Sequence, residues 1–250
     1  MSGHSKWSTI KRKKGALDAK RGKIFSKLAK EIMVAAKMGG GDPTMNPRLR
    51  TVLLAARAAN MPKDKVDQAI KKGTGEGADA VDYSEVRYEG YGPGGVALIV
   101  EVLTDNKNRT VGEVRHALTK NGGSMAENGA VTGNFDQKGY SLIPKSAGSE
   151  EEIFEKAIEA GADDMNPVSD GYEIYTEPTS LHAVSEALEE MGIEAEEVKL
   201  TMLPKTTLEV DEKTARQVMR AIEMLEDNDD VQNVYTNFDM SEETMAALAE

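Results

Sequence analysis

The spacing of apolar residues changes character near residue 80. Before it, Ile24, Phe25, Leu28, Ile32, Ala35 and Ala36 recur at helical intervals from Lys23 onward, while Lys20, Lys23, Lys27, Lys30 and Lys37 fall on the opposite side of the wheel. Gly39-Gly40-Gly41 ends that helix and Asp42-Pro43 opens a turn. A second helix is predicted at about Arg48 to Asn60, with Leu49, Val52, Leu53 and Ala56 inward, and a third from Lys63 to Lys72, between Pro62 and Gly73. Ser2 to Gly22 has glycines and little periodicity, and reads as an extended or partly helical arm that orders on its partner. The short joint Asn60-Met61-Pro62 admits a helix-turn-helix, with Lys63, Lys65, Gln68, Lys71 and Lys72 facing a groove, but an ordinary helical corner is the commoner use of such a joint.

Beyond Gly73 to Ala80, a linker by composition, the pattern is that of strands. Val86 and Tyr88, then Val96 to Leu103, flank Gly90-Tyr91-Gly92-Pro93-Gly94-Gly95 and predict a hairpin. Thr110 and Glu113 have capping-box spacing before a helix that stops at Gly122-Gly123, and a strand is expected at Ala130 to Phe135. Asn121 to Gly129 reads as an exposed, flexible loop with Met125 at its tip. Residues 139–203 then give strand, helix, strand, strand, helix, strand, the ferredoxin-like order, with Ser149 and Glu152 capping the first helix. A last strand, helix, strand set follows, with Asp211 as N-cap, and completes the sheet interrupted after residue 135. The fold class is α+β: an N-terminal three-helix domain over residues 1–78, a discontinuous α/β domain from 79–136 and 204–250, and a ferredoxin-like α/β domain inserted at 137–203.

Charge gives these parts different partners. Residues 1–72 carry 18 Lys and Arg against 5 Asp and Glu, whereas the rest carries 13 against 38. A basic segment on an otherwise acidic chain points to a polyanion held at one end and repelled elsewhere. The acidic outer faces of the helices within 139–203 argue against nucleic acid there.

Other chemistry finds little support. Without cysteine, disulfides and thiolate metal sites are excluded, and His4, His116 and His182 are scattered. The residues show no nucleophile with a base, no phosphate-binding loop and no calcium loop, and Glu226 to Asp230 reads as a solvated helix end. No apolar run reaches the length of a membrane span. The expectation is a cytoplasmic, non-enzymatic protein with no metal, cofactor, membrane or small-molecule partner. One exposed segment, Asp105 to Thr110, leaves a strand and enters a helix, a place where Lys107, Asn108 and Arg109 could meet phosphates or bases.

Several stretches carry a resemblance. GHSKW at Gly3 to Trp7, DAKRGKIFSKL at Asp18 to Leu28, GGGDP at Gly39 to Pro43, NPRLR at Asn46 to Arg50, YEGYGPGG at Tyr88 to Gly95, DNKNRT at Asp105 to Thr110, EVRH at Glu113 to His116 and MLEDNDDVQNVY at Met224 to Tyr235 together resemble the YebC/PmpR family nearly end to end. Met125-Ala126-Glu127 departs from it, because a Leu-Gly pair is more usual there. The resemblance implies three domains and a nucleic-acid-binding regulator of gene expression. Bacterial members are described as DNA-binding transcriptional regulators, while others, a mitochondrial translational activator among them, look like ribosome-associated factors that assist synthesis of difficult nascent sequences. The expected partner is therefore DNA, or ribosomal RNA on the ribosome. The candidate contacts are Lys6, Lys11, Arg12, Lys13, Lys14, Lys20, Arg21, Lys23, Lys27 and Lys30 in the arm and first helix, Arg48 and Arg50 in the second, and Lys107, Asn108 and Arg109.

Overall fold

Two runs of β-formers joined by a glycine-rich turn start the first sheet: β1 (Ser84–Tyr91) pairs antiparallel with β2 (Ala97–Thr104) through a 3-10 turn at Pro93–Gly95. The chain is seen here in a computed structural model that describes residues 17–75 and 82–249. Helix α4 (Lys107–Lys120) follows β2 and leads to β3 (Ser124–Ala126), which adds to the free side of β1. That approach needs bare backbone, because a Cβ on Gly90 would stand 2.7 Å from the Ser124 carbonyl oxygen, and one on Gly123 would stand 2.5 Å from that of Tyr91. The other edge is filled from far along the chain by β9 (Val231–Thr236), giving the order β3-β1-β2-β9. One face of this sheet packs Leu98, Val100 and Val102 against Val114 and Leu118 of α4 and against Val218, Ile222 and Leu225 of α7 (Glu212–Glu226). The other face gathers Ala97, Ile99, Val131, Phe135, Met202 and Tyr235.

A second sheet is built by β4 (Phe135–Pro144), β5 (Asp164–Pro167), β6 (Gly171–Thr176) and β7 (Glu197–Pro204) in the order β5-β6-β4-β7. In its own count that order is 2-3-1-4, the split βαβ arrangement of ferredoxin-like sheets. Helices α5 (Glu150–Ala160) and α6 (Leu181–Glu190) bury Ile153, Ala157, Val184 and Leu188 against Ile143, Tyr172 and Ile174. The Ser149 hydroxyl accepts from the Glu152 N–H at 3.3 Å, and Gly161 takes the left-handed φ of 95° that stops α5.

Among the described residues the chain divides into two compact units. One joins Asp82–Asp136 to residues 202–249, and the other joins residues 17–75 to Gln137–Thr201. In the second, α1 (Leu17–Gly39), α2 (Pro47–Ala58) and α3 (Lys63–Gly73) close around Ile32, Ala35, Leu49, Ala56 and Ala69. Arg57 of α2 pairs with Glu189 of α6 at 2.8 Å; the pair is largely exposed and contributes below about 1 kcal/mol. No helix of the described residues is long and apolar enough to cross a membrane, and none of their His, Cys, Asp and Glu side chains group as a metal site.

Several expectations need correction. The first helix does not wait for Lys23: it starts at Leu17 and runs through Gly22, because one glycine costs only about 1 kcal/mol relative to alanine among good helix formers. Thr110 is not the N-cap of α4. Asn106 is, its Oδ1 accepting from the Arg109 N–H at 3.1 Å. The strand expected at Ala130 to Phe135 is absent: a 3-10 turn spans Thr132–Asn134, and β4 begins only at Phe135. The Asn121 to Gly129 segment is not a free loop, since it contains β3 and Met125 packs against the core. The last strand also divides, β8 (Leu208–Glu209) pairing in parallel with β10 (Phe238–Asp239), and an unexpected α8 (Glu242–Ala249) follows.

Candidate nucleic-acid interface

On α1 the apolar residues that seal the three-helix core leave Lys23, Lys27, Lys30 and Lys37 within an arc of about 80° on the far side, by the 3.6-residue turn. Arg21 and Lys37 are exposed, and Lys23, Lys27 and Lys30 are half-buried. Helix α3 borders α1 closely: a Cβ on Gly73 would stand 2.4 Å from the Met33 carbonyl oxygen. It exposes Lys63, Lys65, Lys71 and Lys72, and the Lys65 ammonium sits 5.6 Å from the centre of the Phe25 ring. Arg48 and Arg50 are half-buried on α2, which carries no acid.

The joint between α1 and α2 is set by Asn46, only 3% exposed. Its Nδ2 donates to the carbonyls of Ala35 and Gly40, each at 2.8 Å, and its Oδ1 accepts from the Leu49 N–H at 3.1 Å. Within the turn, the Asp42 carboxylate accepts from the Thr44 hydroxyl at 2.7 Å and from the Thr44 N–H at 2.9 Å, and these two bonds, the hydroxyl first, hold it below its ordinary pKa.

Lys107, Asn108 and Arg109 stand in the other compact unit, in the exposed first turn of α4. Arg109 is engaged there: its Nη2 donates to Asp230 at 2.5 Å and to Asp105 at 2.8 Å. Those hydrogen bonds, to Asp230 and then Asp105, raise its pKa further. Asp230 is 6% exposed, and the Thr104 and Thr110 hydroxyls lie 3.0 and 2.8 Å from its Oδ2. The acidic run ending at Asp230 is therefore not wholly solvated; its last member ties α4 and β2 to the start of β9. Lys6, Lys11, Arg12, Lys13 and Lys14 lie outside the described residues, as does the side chain of Lys20.

The family model for the TACO1/YebC protein N-terminal domain matches residues 5–76, and that for the TACO1/YebC second and third domain matches residues 83–238. The chain belongs to the TACO1/YebC family. It is 56% identical over 248 residues to a probable transcriptional regulatory protein of Geobacter sp. strain M21, covering 99% of this chain and 100% of that one. A probable transcriptional regulatory protein of Persephonella marina is 55% identical over 251 residues, with 100% of both chains covered. Among solved structures, a conserved hypothetical protein from Aquifex aeolicus superposes with a TM-score of 0.84 at 48% identity, covering 91% of this chain and 93% of that one.

The TACO1/YebC N-terminal domain thus coincides with the basic helices, and α4 falls in the region matched to the second and third domain. Two features of the basic region escaped sequence reasoning. Asn46 was hidden because its three partners are backbone groups, although Asn before Pro is a recognisable helix start. The exposure of Met38 and Met45, at the two ends of the turn, has no signal in the residue pattern.

Proposed function

We propose that this TACO1/YebC protein is a non-enzymatic, nucleic-acid-binding regulator of gene expression in the cytoplasm, and specifically a DNA-binding transcriptional regulator. The observation that carries the reading is the lysine stripe of α1, opposite the side that packs the three-helix core. Cations carried along one side of a helix that its core fixes can neutralise successive phosphates, and they position the protein without specifying sequence. The arm with Lys6, Lys11, Arg12, Lys13 and Lys14 adds charge, and Arg21, Arg48, Arg50, Lys107 and Asn108 are further candidate contacts. Arg109 contributes mainly by holding the first turn of α4 in place. The relatives' shared description as probable transcriptional regulatory proteins favours DNA over ribosomal RNA.

The test is a titration of duplex DNA with the full chain across a salt series. Each neutralised phosphate contributes a slope of about −0.9 in log K against log salt. The triple substitution Lys23→Ala, Lys27→Ala, Lys30→Ala is expected to weaken binding and flatten the slope by roughly two to three units. In cells, recovery of specific promoter fragments supports transcriptional regulation. Co-sedimentation with ribosomes that survives DNase, without promoter enrichment, overturns it in favour of a translation factor.

A further inference from the structure

The turn between α1 and α2 holds two apolar side chains out in solvent: Met38 is 69% exposed and Met45 79%. Their mounting is firm. Asn46, beside Met45, latches the turn to Ala35 and Gly40, and a Cβ on Gly39, beside Met38, would stand 2.7 Å from the Asn46 Cγ. Gly40 makes the reversal at a left-handed φ of 87°, and the Asp42 to Thr44 bonds stiffen the far side. The two methionines therefore stand exposed at the two ends of a braced corner.

Their surroundings specify what would cover them. Lys37 is exposed next to Met38, and the Arg48 Nη1 lies 3.3 Å from the Met38 sulfur. A partner matching both properties presents negative charge and flat apolar surface within a few ångströms of each other. A nucleic acid supplies both, since every base adjoins a phosphate, and the lysine stripe of α1 runs toward the same turn. Methionine is suited to such contact, being unbranched and polarizable, and it is among the residues that proteins insert as wedges between base steps.

We propose that Met38 and Met45 form an apolar wedge that lies against the base faces of bound nucleic acid, with Lys37 and Arg48 on the flanking phosphates. The proposal rests on the nucleic-acid reading of α1 and adds a mode of contact to it. Its signature is affinity that does not depend on salt, because covering apolar surface releases no counterions.

The experiment uses the full chain and an oligonucleotide carrying 2-aminopurine, as duplex and as single strand, over a salt series. The double substitution Met38→Ala, Met45→Ala is expected to weaken binding about tenfold, with the salt slope kept and the protein-induced 2-aminopurine signal reduced. The Lys23→Ala, Lys27→Ala, Lys30→Ala variant changes the slope and keeps the signal at saturation. Loss confined to one oligonucleotide form identifies a duplex step or a splayed base as the surface covered, and either supports the wedge. Native affinity and native signal in the double methionine variant on both forms overturn it while leaving the lysine stripe intact. Failure of the native chain to bind either form overturns both readings.

Discussion

The Glu89 carboxylate accepts the Val131 N–H at 2.7 Å across the edge of the first sheet, although the two residues stand 42 positions apart. The same carboxylate takes the Gly129 N–H at 2.8 Å, the Thr132 N–H at 3.0 Å and the Thr132 hydroxyl at 2.7 Å, and the residue is 4% exposed. Burial alone would raise its pKa, but the Thr132 hydroxyl and the three backbone donors outweigh it and bring the pKa down to about 2. The folded value lies below the ordinary 4.5, so the stabilisation is complete above about pH 4.5 and is lost as the pH falls toward about 2. Amide exchange at Gly129, Val131 and Thr132 is expected to stay slow at pH 4 and to accelerate near pH 2. Acceleration already complete at pH 4 would show an ordinary carboxylate.

Glu89→Gln replaces an acceptor-only group by one that turns donors toward donors. A cost of roughly 2 kcal/mol or more is expected, read by urea unfolding, with the 127–132 segment loosening first in hydrogen exchange. A variant as stable as the native chain would remove Glu89 as the anchor.

Asn46→Asp keeps the N-cap acceptor for Leu49 and discards the Nδ2 donors to Ala35 and Gly40. It places a charge in a buried site facing carbonyl oxygens, so a loss of about 2 to 3 kcal/mol is expected in thermal or urea unfolding. If the joint needed only a cap, the loss would stay below about 0.5 kcal/mol.

Arg109→Ala separates stability from binding. The guanidinium is part-exposed and Asp230 is buried, so removing the cation is expected to lower the unfolding midpoint, by less than for a fully buried pair. DNA affinity, measured well below the melting temperature, is expected to change less than threefold. A large affinity loss with unchanged stability would make Arg109 a phosphate contact first.

Gly73→Ala would force a methyl group to within 2.4 Å of the Met33 carbonyl oxygen and push α3 off α1. Overpacking of this kind costs about 1 to 3 kcal/mol. An unfolding midpoint equal to the native one would mean that the two helices separate at little cost.

Residues whose roles are local were readable from the chain. Ser149 caps α5, Asp211 caps α7, and the apolar period of α1 shows which side joins the three-helix core, although Val34 on the lysine side is buried too, because helical period and cap chemistry act over a few positions. The misreadings fall where partners are distant. Val131 is buried like a strand residue, but the N–H groups of Gly129, Val131 and Thr132 are claimed by Glu89 of β1, so no ladder forms before Phe135 opens β4. Thr110 and Glu113 have capping-box spacing, yet the Thr110 hydroxyl lies against Asp230, 120 positions away, and Asn106 takes the cap. Asp230 shows the same limit from the other side: nothing in Glu226 to Asp230 distinguishes the one carboxylate that three residues of another segment draw inside. For the candidate interface, the charge was legible and the braced turn was not.

Strand β2 lies between β1, which precedes it, and β9, which is made some 130 residues later. During synthesis the hairpin can form early, but one side of β2 stays an open edge until nearly the whole chain is available, while the intervening sheet can close from local segments. Such late, long-range pairing slows folding and leaves an exposed edge to be managed. A chain cut before residue 231 would therefore keep a permanent strand vacancy beside Ile99 and Glu101, a template for aggregation that the finished C-terminal segment removes.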